Sequence, residues 1–132
     1  MRKLITSTIF TLAAGAAFAG GHGASTFQNT CSEIRFAYQG NDATIQAVCL
    51  RADGSAAAAS TAIMGISNQN GTLTMSGGSS SFQQSCGSIG IETLIDSVTL
   101  TANCRTASGD FNETAIELMG INNENGALTP NM

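Results

Sequence analysis

Asparagine, glutamine, serine, threonine and arginine recur in this chain in two matched sets. Asn68 and Asn70 lie in Ile66-Ser67-Asn68-Gln69-Asn70-Gly71, and Asn123 and Asn125 lie in Ile121-Asn122-Asn123-Glu124-Asn125-Gly126. Upstream, Phe27-Gln28-Asn29-Thr30-Cys31 is answered by Phe82-Gln83-Gln84-Ser85-Cys86, and Arg51 and Arg105 each follow closely on a later cysteine. Amides and hydroxyls donate and accept hydrogen bonds, and a guanidinium donates a planar fork of them. Such groups recognise a ligand without making or breaking its bonds. Asn-Gly pairs are also turn-formers for backbone reasons, so each motif has a purely structural reading beside the binding one.

Catalytic parts are missing from the same inventory. His22 is the sole imidazole and stands in a Gly-rich stretch near the N-terminus, so no Ser-His or Cys-His nucleophile pair can be assembled around a folded core. Asp110, Glu113 and Glu117 could supply paired carboxylates, but Glu113 and Glu117 fall on the polar side of Thr114-Ala115-Ile116-Glu117-Leu118 and read as solvated face. No Cys-x-x-Cys pair exists, which leaves no zinc pattern. The residues predict neither an enzyme nor a cofactor.

The N-terminus reads as an export signal. Arg2 and Lys3 precede an apolar, Ala-rich run, and Ala17-Phe18-Ala19 is a small-x-small cleavage site, so residues 1–19 are expected to be a signal peptide and the product to be secreted. Residues 20–25 then form a flexible segment, and 26–132 a single domain. Beyond the signal the basic residues are Arg35, Arg51 and Arg105 against nine acidic ones, with no lysine. A phosphate backbone or an anionic membrane surface needs several cations, so neither nucleic acid nor membrane is an expected partner. Cys31, Cys49, Cys86 and Cys104 all fall in the exported part, where an oxidising compartment favours two disulfides.

The elements that position these residues are duplicated. Cys31 to Cys49 and Cys86 to Cys104 have the same spacing of 18, and the Phe and Asn motifs recur at a shift of 55. Thr61-Ala62-Ile63 aligns with Thr114-Ala115-Ile116 at a shift of 53, which implies a two-residue gap in the first half. Repeat one is 26–75, a Gly/Ser-rich and flexible linker is 76–80, and repeat two is 81–130. Each half is too short for a sufficient core of its own, so joint burial is expected. Ala43, Ile45 and Ala47 alternate with Thr44, Gln46 and Val48, and Val98, Leu100 and Ala102 with Thr99, Thr101 and Asn103, which predicts half-buried strands. Asn70-Gly71 and Asn125-Gly126 predict tight hairpins. The alanine run 56–59 is read as a short helix or loop, and Phe27, Phe82 and Phe111 as core. Four cysteines allow three connectivities, and repeat symmetry selects none of them.

Taken in order, Phe-x-x-Thr/Ser-Cys, a strand ending Ala-x-Cys, Thr-x-Ile and Ile-x-Asn-x-Asn-Gly-x-Leu, all occurring twice between Thr26 and Leu128, resemble the cyanovirin-N family of mannose-binding lectins. The resemblance implies an all-β, pseudo-symmetric domain of two tandem repeats, each with a triple-stranded sheet plus a β-hairpin. It also implies one disulfide inside each repeat, a monomer or a domain-swapped dimer, and metal-free binding of high-mannose glycans or glycoproteins. Each sugar pocket would be built by one repeat and completed by the hairpin of the other. One pocket then combines Ser80, Ser81, Gln84, Ser85, Arg105 and Thr106 with Ser67, Asn68 and Asn70. Its mate combines Thr26, Asn29, Thr30, Arg51 and Asp53 with Asn123, Glu124 and Asn125.

Departures from the family pattern rank the two. Leu50 and Ala52 stand in the mate where the family is polar, so the first pocket is the stronger candidate, although Ser67, Asn70 and Ala107 replace a Glu, an Asp and an Arg there. The alternative is a secreted protein-interaction or structural module that kept the fold and lost the sugar sites.

Overall fold

The computed structural model describes residues 23–131, and the expected signal peptide lies outside them. The chain forms β1 (Cys31–Gln39), β2 (Asp42–Leu50), β3 (Ala56–Ala62), β4 (Met64–Gln69) and β5 (Thr72–Ser79). The second half repeats the series as β6 (Cys86–Leu94), β7 (Ser97–Arg105), β8 (Phe111–Glu117), β9 (Asn123–Glu124) and β10 (Ala127–Leu128). A single 3-10 turn precedes each set, at Phe27–Asn29 and Phe82–Gln84. Strands β1-β2-β3 and β6-β7-β8 make two antiparallel sheets, and β4-β5 and β9-β10 make two hairpins. The fold is all-β with repeated sheet and hairpin units.

Alternation explains the central strands. Ala43, Ile45, Ala47 and Cys49 of β2 are buried, and so are Val98, Leu100, Ala102 and Cys104 of β7, because side chains two apart share a face. Phe27 and Phe82 are fully covered, and one cluster joins them to Ile45, Ile63, Ile66, Leu100, Leu118 and Ile121. Both repeats feed that cluster, so neither half has a separate core. The bridges Cys31–Cys49 and Cys86–Cys104 each join directly paired residues of two neighbouring strands.

Pairing settles the repeat at one uniform shift. Leu50 pairs with Ala56 and Arg105 with Phe111, while Ile63 N–H donates to the Ala43 carbonyl as Leu118 N–H donates to that of Val98. Ile63 therefore answers Leu118, not Ile116, and the two-residue gap expected from Thr-x-Ile is not there. Burial decides this: Ile63 and Leu118 are both fully covered, whereas Ile116 is only partly so. The alanine run is also corrected. It belongs to β3, paired with β2 along its whole length, because tertiary edge pairing outweighs the helix preference of four alanines.

Of the segment 20–25, residues 20–22 lie outside the described residues, and Gly23, Ala24 and Ser25 are tied to the loop around Gly120. Ser25 is buried; its hydroxyl donates to the Leu118 carbonyl at 2.7 Å and accepts from Ile121 N–H at 3.0 Å. Asn131 pairs with both backbone groups of Met64. The Gly/Ser-rich stretch after Met75 continues β5, with Gly77 and Gly78 at positive φ where the pairing with β4 slips.

Candidate functional site

Each hairpin closes on the sheet of the other repeat. Turn β4-β5 ends on Asn70 and Gly71 at φ 53 and 88, and turn β9-β10 on Asn125 and Gly126 at φ 52 and 91, the two positive φ angles that a two-residue hairpin demands. Hairpin β4-β5 lies on β7 and β8: Leu73 N–H donates to Thr114 Oγ1 at 3.1 Å, and Asn112 Nδ2 donates to the Gly71 carbonyl at 2.8 Å. Hairpin β9-β10 lies beside β3 and the residues after Cys49.

Asn68 is the clasp of the first junction. Its Nδ2 donates to Ser85 Oγ at 2.9 Å and to the Arg105 carbonyl at 2.9 Å, while its Oδ1 accepts from Gly71 N–H at 2.7 Å. Asn70 Oδ1 accepts from Ala107 N–H at 2.7 Å. The second junction repeats these four clasp bonds: Asn123 Nδ2 donates to Thr30 Oγ1 and the Leu50 carbonyl, Asn123 Oδ1 accepts from Gly126 N–H, and Asn125 Oδ1 accepts from Ala52 N–H. Asn68 and Asn123 are thereby occupied in holding the hairpins. They position a cleft but have little capacity left for a ligand.

The structure brings Asn68, Asn70, Ser85, Arg105 and Thr106 together, and the other candidates make contacts of their own or stand exposed. Neighbouring strand residues face opposite sides, so with Asn68 turned to the junction Ser67 faces away, beside Thr74 Oγ1 at 3.3 Å. Ser80 Oγ accepts from Ile66 N–H, the counterpart of Ser25 in the first half. Ser81 and Gln84 are exposed on the 3-10 turn, and Gln84 lines a different concavity. In the second junction Thr26 Oγ1 donates to Asn122 Oδ1, Asn29 lies in a concavity with Leu94, and Glu124 is exposed. Asp53 accepts from the hydroxyl and the backbone amide of Ser55, which hold its carboxyl below the ordinary range.

Phe111 departs most from expectation. It is 61% exposed, cross-strand from Arg105, whose guanidinium lies over its ring at 5.7 Å from the centroid. Among the described residues no sheet covers the outer face of β8, so an aromatic there stays in solvent. The stacking fixes Arg105 at the rim of the first junction, and among the described residues its guanidinium donates to no other side chain. Sequence reading missed Phe111 and Asn112 as site residues; Asn112 belongs to Asn112-Glu113-Thr114, an N-glycosylation pattern whose amide nitrogen is engaged in this fold. At the second rim Leu50 and Ala56 replace the pair, and Arg51 lies against Gly126, where a Cβ would meet its Cγ at 2.9 Å. The two junctions share a clasp and differ at the rim.

Among the described residues no group of three or more His, Cys, Asp or Glu is placed to hold a metal ion. What the first junction offers is a polar rim: the Arg105 guanidinium, the Asn70 amide nitrogen, and the Thr106 hydroxyl, which pairs with Ser108 Oγ at 2.9 Å as that serine donates to the Asp110 carboxylate.

The sequence matches the CVNH domain over residues 27–129. Microvirin, solved in complex with mannobiose, is similar to this chain at 28% identity and a TM-score of 0.59, over 80% of this chain and 97% of microvirin. The CVNH protein of T. borchii is similar at 27% identity and a TM-score of 0.62, over 79% of this chain and 97% of its own. A MoCVNH3 variant, solved with (N-GlcNAc)4, shares the fold at 18% identity and a TM-score of 0.60, over 81% and 97% of the two chains. No curated protein is detectably similar in sequence.

Proposed function

The chain belongs to the CVNH family, and from that membership we infer that it is a secreted lectin recognising mannose-containing glycans of the high-mannose type, without metal or catalysis. The observation that carries this reading is the first junction, where Asn68 bonds the Arg105 carbonyl and Asn70 Oδ1 accepts from Ala107 N–H, which leaves among the described residues the Asn70 amide nitrogen without a partner and the Arg105 guanidinium stacked on Phe111 with its donors unspent. Sugar hydroxyls donate and accept at once, and a rim of guanidinium, amide and hydroxyl meets both roles. The mannobiose bound by microvirin supports a mannose ligand. The export pattern of residues 1–19 supports secretion.

Binding should be unequal at the two junctions. Arg105→Ala removes a charged donor and is expected to weaken oligomannose binding on the order of tenfold to a hundredfold, since a hydrogen bond from a charged group contributes about 1.5–3 kcal/mol. Arg51→Ala, at the rim that lacks the aromatic, should cost far less. Calorimetric titration of folded wild type and both variants measures this. Equal losses would refute the inequality, and a wild type that binds no glycan would favour a protein-interaction module instead.

A further inference from the structure

Gln83 and Gln84 of the 3-10 turn Phe82–Gln84 line, with Tyr38, Gly40 and Asn41, a concavity of about 350 Å³. Repeat one supplies the β1-β2 turn and repeat two supplies the glutamines. We propose that this concavity is a second saccharide site, independent of the hairpin junctions, in which the Tyr38 ring stacks against the C–H face of a neutral pyranose and the flanking amides bond its hydroxyl or acetamido groups.

Tyr38 is the one tyrosine of the chain and is 56% exposed. An exposed aromatic on a polar concavity is unusual in a chain with so few aromatic residues. Its ring is also held in place: Phe36 meets it edge-on at 5.0 Å between centroids, and Phe36 in turn packs on the buried Phe82 at 6.2 Å. The platform is therefore anchored to the core before any ligand arrives, which reduces the ordering cost of binding.

Gln83 is the second observation. Only 8% of it is exposed, and its Nε2 donates to the carbonyls of Asn41 at 2.9 Å and Ser80 at 3.0 Å. Two carbonyls fix the amide orientation, because a flipped amide would set oxygen against oxygen. Its Oε1 is left with no donor among the described residues. A buried acceptor without a partner is a standing demand for an N–H or O–H. The oxygen is covered, so a donor reaches it only as the wall yields, and the exposed Gln84 side chain, rather than the anchored Tyr38 ring, is the part of that wall free to move. All five lining residues are uncharged, so a charged ligand gains nothing there. The volume falls at the low end of the range of about 300–1,000 Å³ for small-molecule sites, which suits one or two sugar rings.

Pseudo-symmetry supplies an internal control. The equivalent concavity, of about 360 Å³, is lined by Gln28, Asn29, Thr93, Leu94 and Ile95. Gln28 repeats the arrangement, with Nε2 donating to two carbonyls and Oε1 unpaired. Thr93 stands there in place of Tyr38 and Ile95 in place of Gly40, so it has no stacking ring.

The test is a nuclear magnetic resonance titration of the disulfide-bonded protein with mannobiose and, separately, with the N-acetylglucosamine tetramer. Millimolar sugar is expected to shift the Gly40 and Asn41 backbone amides and the Gln83 side-chain amide, and to leave Thr93 and the Gln28 side chain unmoved. Tyr38→Ala should lose those shifts while keeping any shifts at Asn70 and Arg105; Tyr38→Phe, which retains the ring, should keep both. Absence of response around Gln83 with both sugars overturns the site whatever the hairpin junctions do, and so does a response that survives Tyr38→Ala. Shifts around Gln83 with none at Asn70 or Arg105 uphold this site and refute the proposed rim.

Discussion

Reduction of both disulfides is expected to unfold the protein at 25 °C. Each bridge closes a loop of 18 residues, for which the chain-entropy model gives roughly 3 kcal/mol of stabilisation, or about 6 kcal/mol for the pair. A domain of this size has only about 5–15 kcal/mol to lose. The core makes the lower part of that range the relevant one, because among the described residues its fully buried aromatics are Phe27 and Phe82 and it relies on alanine at Ala43, Ala47 and Ala102. Cys49 and Cys104 also immediately precede Leu50 and Arg105, whose carbonyls hold Asn123 and Asn68. Losing a bridge therefore loosens the clasp of a hairpin as well as the sheet. Urea denaturation followed by circular dichroism, with and without reductant, measures the effect. Paired Cys31→Ser/Cys49→Ser and Cys86→Ser/Cys104→Ser variants should each fall about halfway. A reduced protein with an unshifted midpoint would show that packing alone holds the fold.

Gly71→Ala should be the most damaging substitution of a small residue at the first junction. Gly71 has φ 88, outside the comfort of an L side chain, and that strain alone costs about 1–2 kcal/mol. A Cβ there would also stand 2.7 Å from Thr106 Cγ2 and 3.0 Å from Asn112 Cβ, so the hairpin must lift from β8. Overpacking of this kind costs about a further 1–3 kcal/mol. Gly54→Ala separates the two causes, because Gly54 has the same φ of 88 but nothing within 4 Å of its added Cβ. It should lose the backbone share only and leave glycan binding unchanged, whereas Gly71→Ala should lower the urea midpoint further and weaken binding at the Arg105 rim. Similar midpoints for the two variants would mean that the contact with Thr106 yields at no cost. Preserved binding in Gly71→Ala would mean that the rim does not depend on the seating of the hairpin.

Much of this architecture is local, and local features are legible in a sequence. The duplication, the alternating strands that end at Cys49 and Cys104, and the Asn-Gly turns follow from residue spacing and from the φ angles that Asn and Gly tolerate. The burial of Phe27 and Phe82 follows from hydrophobicity in a chain with few large side chains. The crossing of the hairpins between repeats, by contrast, was implied by the family resemblance; the residues themselves left even the disulfide pairing open.

Tertiary structure decided what depends on partners distant in the chain. The uniform shift of 55 and the strand at the alanine run were set by pairing with β2 and β7, which a self-comparison of the sequence does not contain. Phe111 is an aromatic on a strand, which usually means core, yet no element of the described residues covers the outer face of β8 and the ring became the support of Arg105 instead. The division of labour among the asparagines was likewise invisible, since Asn68 and Asn70 look alike in the motif and differ in how many of their polar atoms the fold consumes, both for Asn68 and only the oxygen for Asn70. Tyr38 and Gln83 lie far apart in sequence, and only the packing of one repeat's turn against the other's places a ring and an unpaired amide oxygen at one concavity. Residue types and spacing thus determined which chemistry was available, while long-range pairing determined which of those groups remain free to use it.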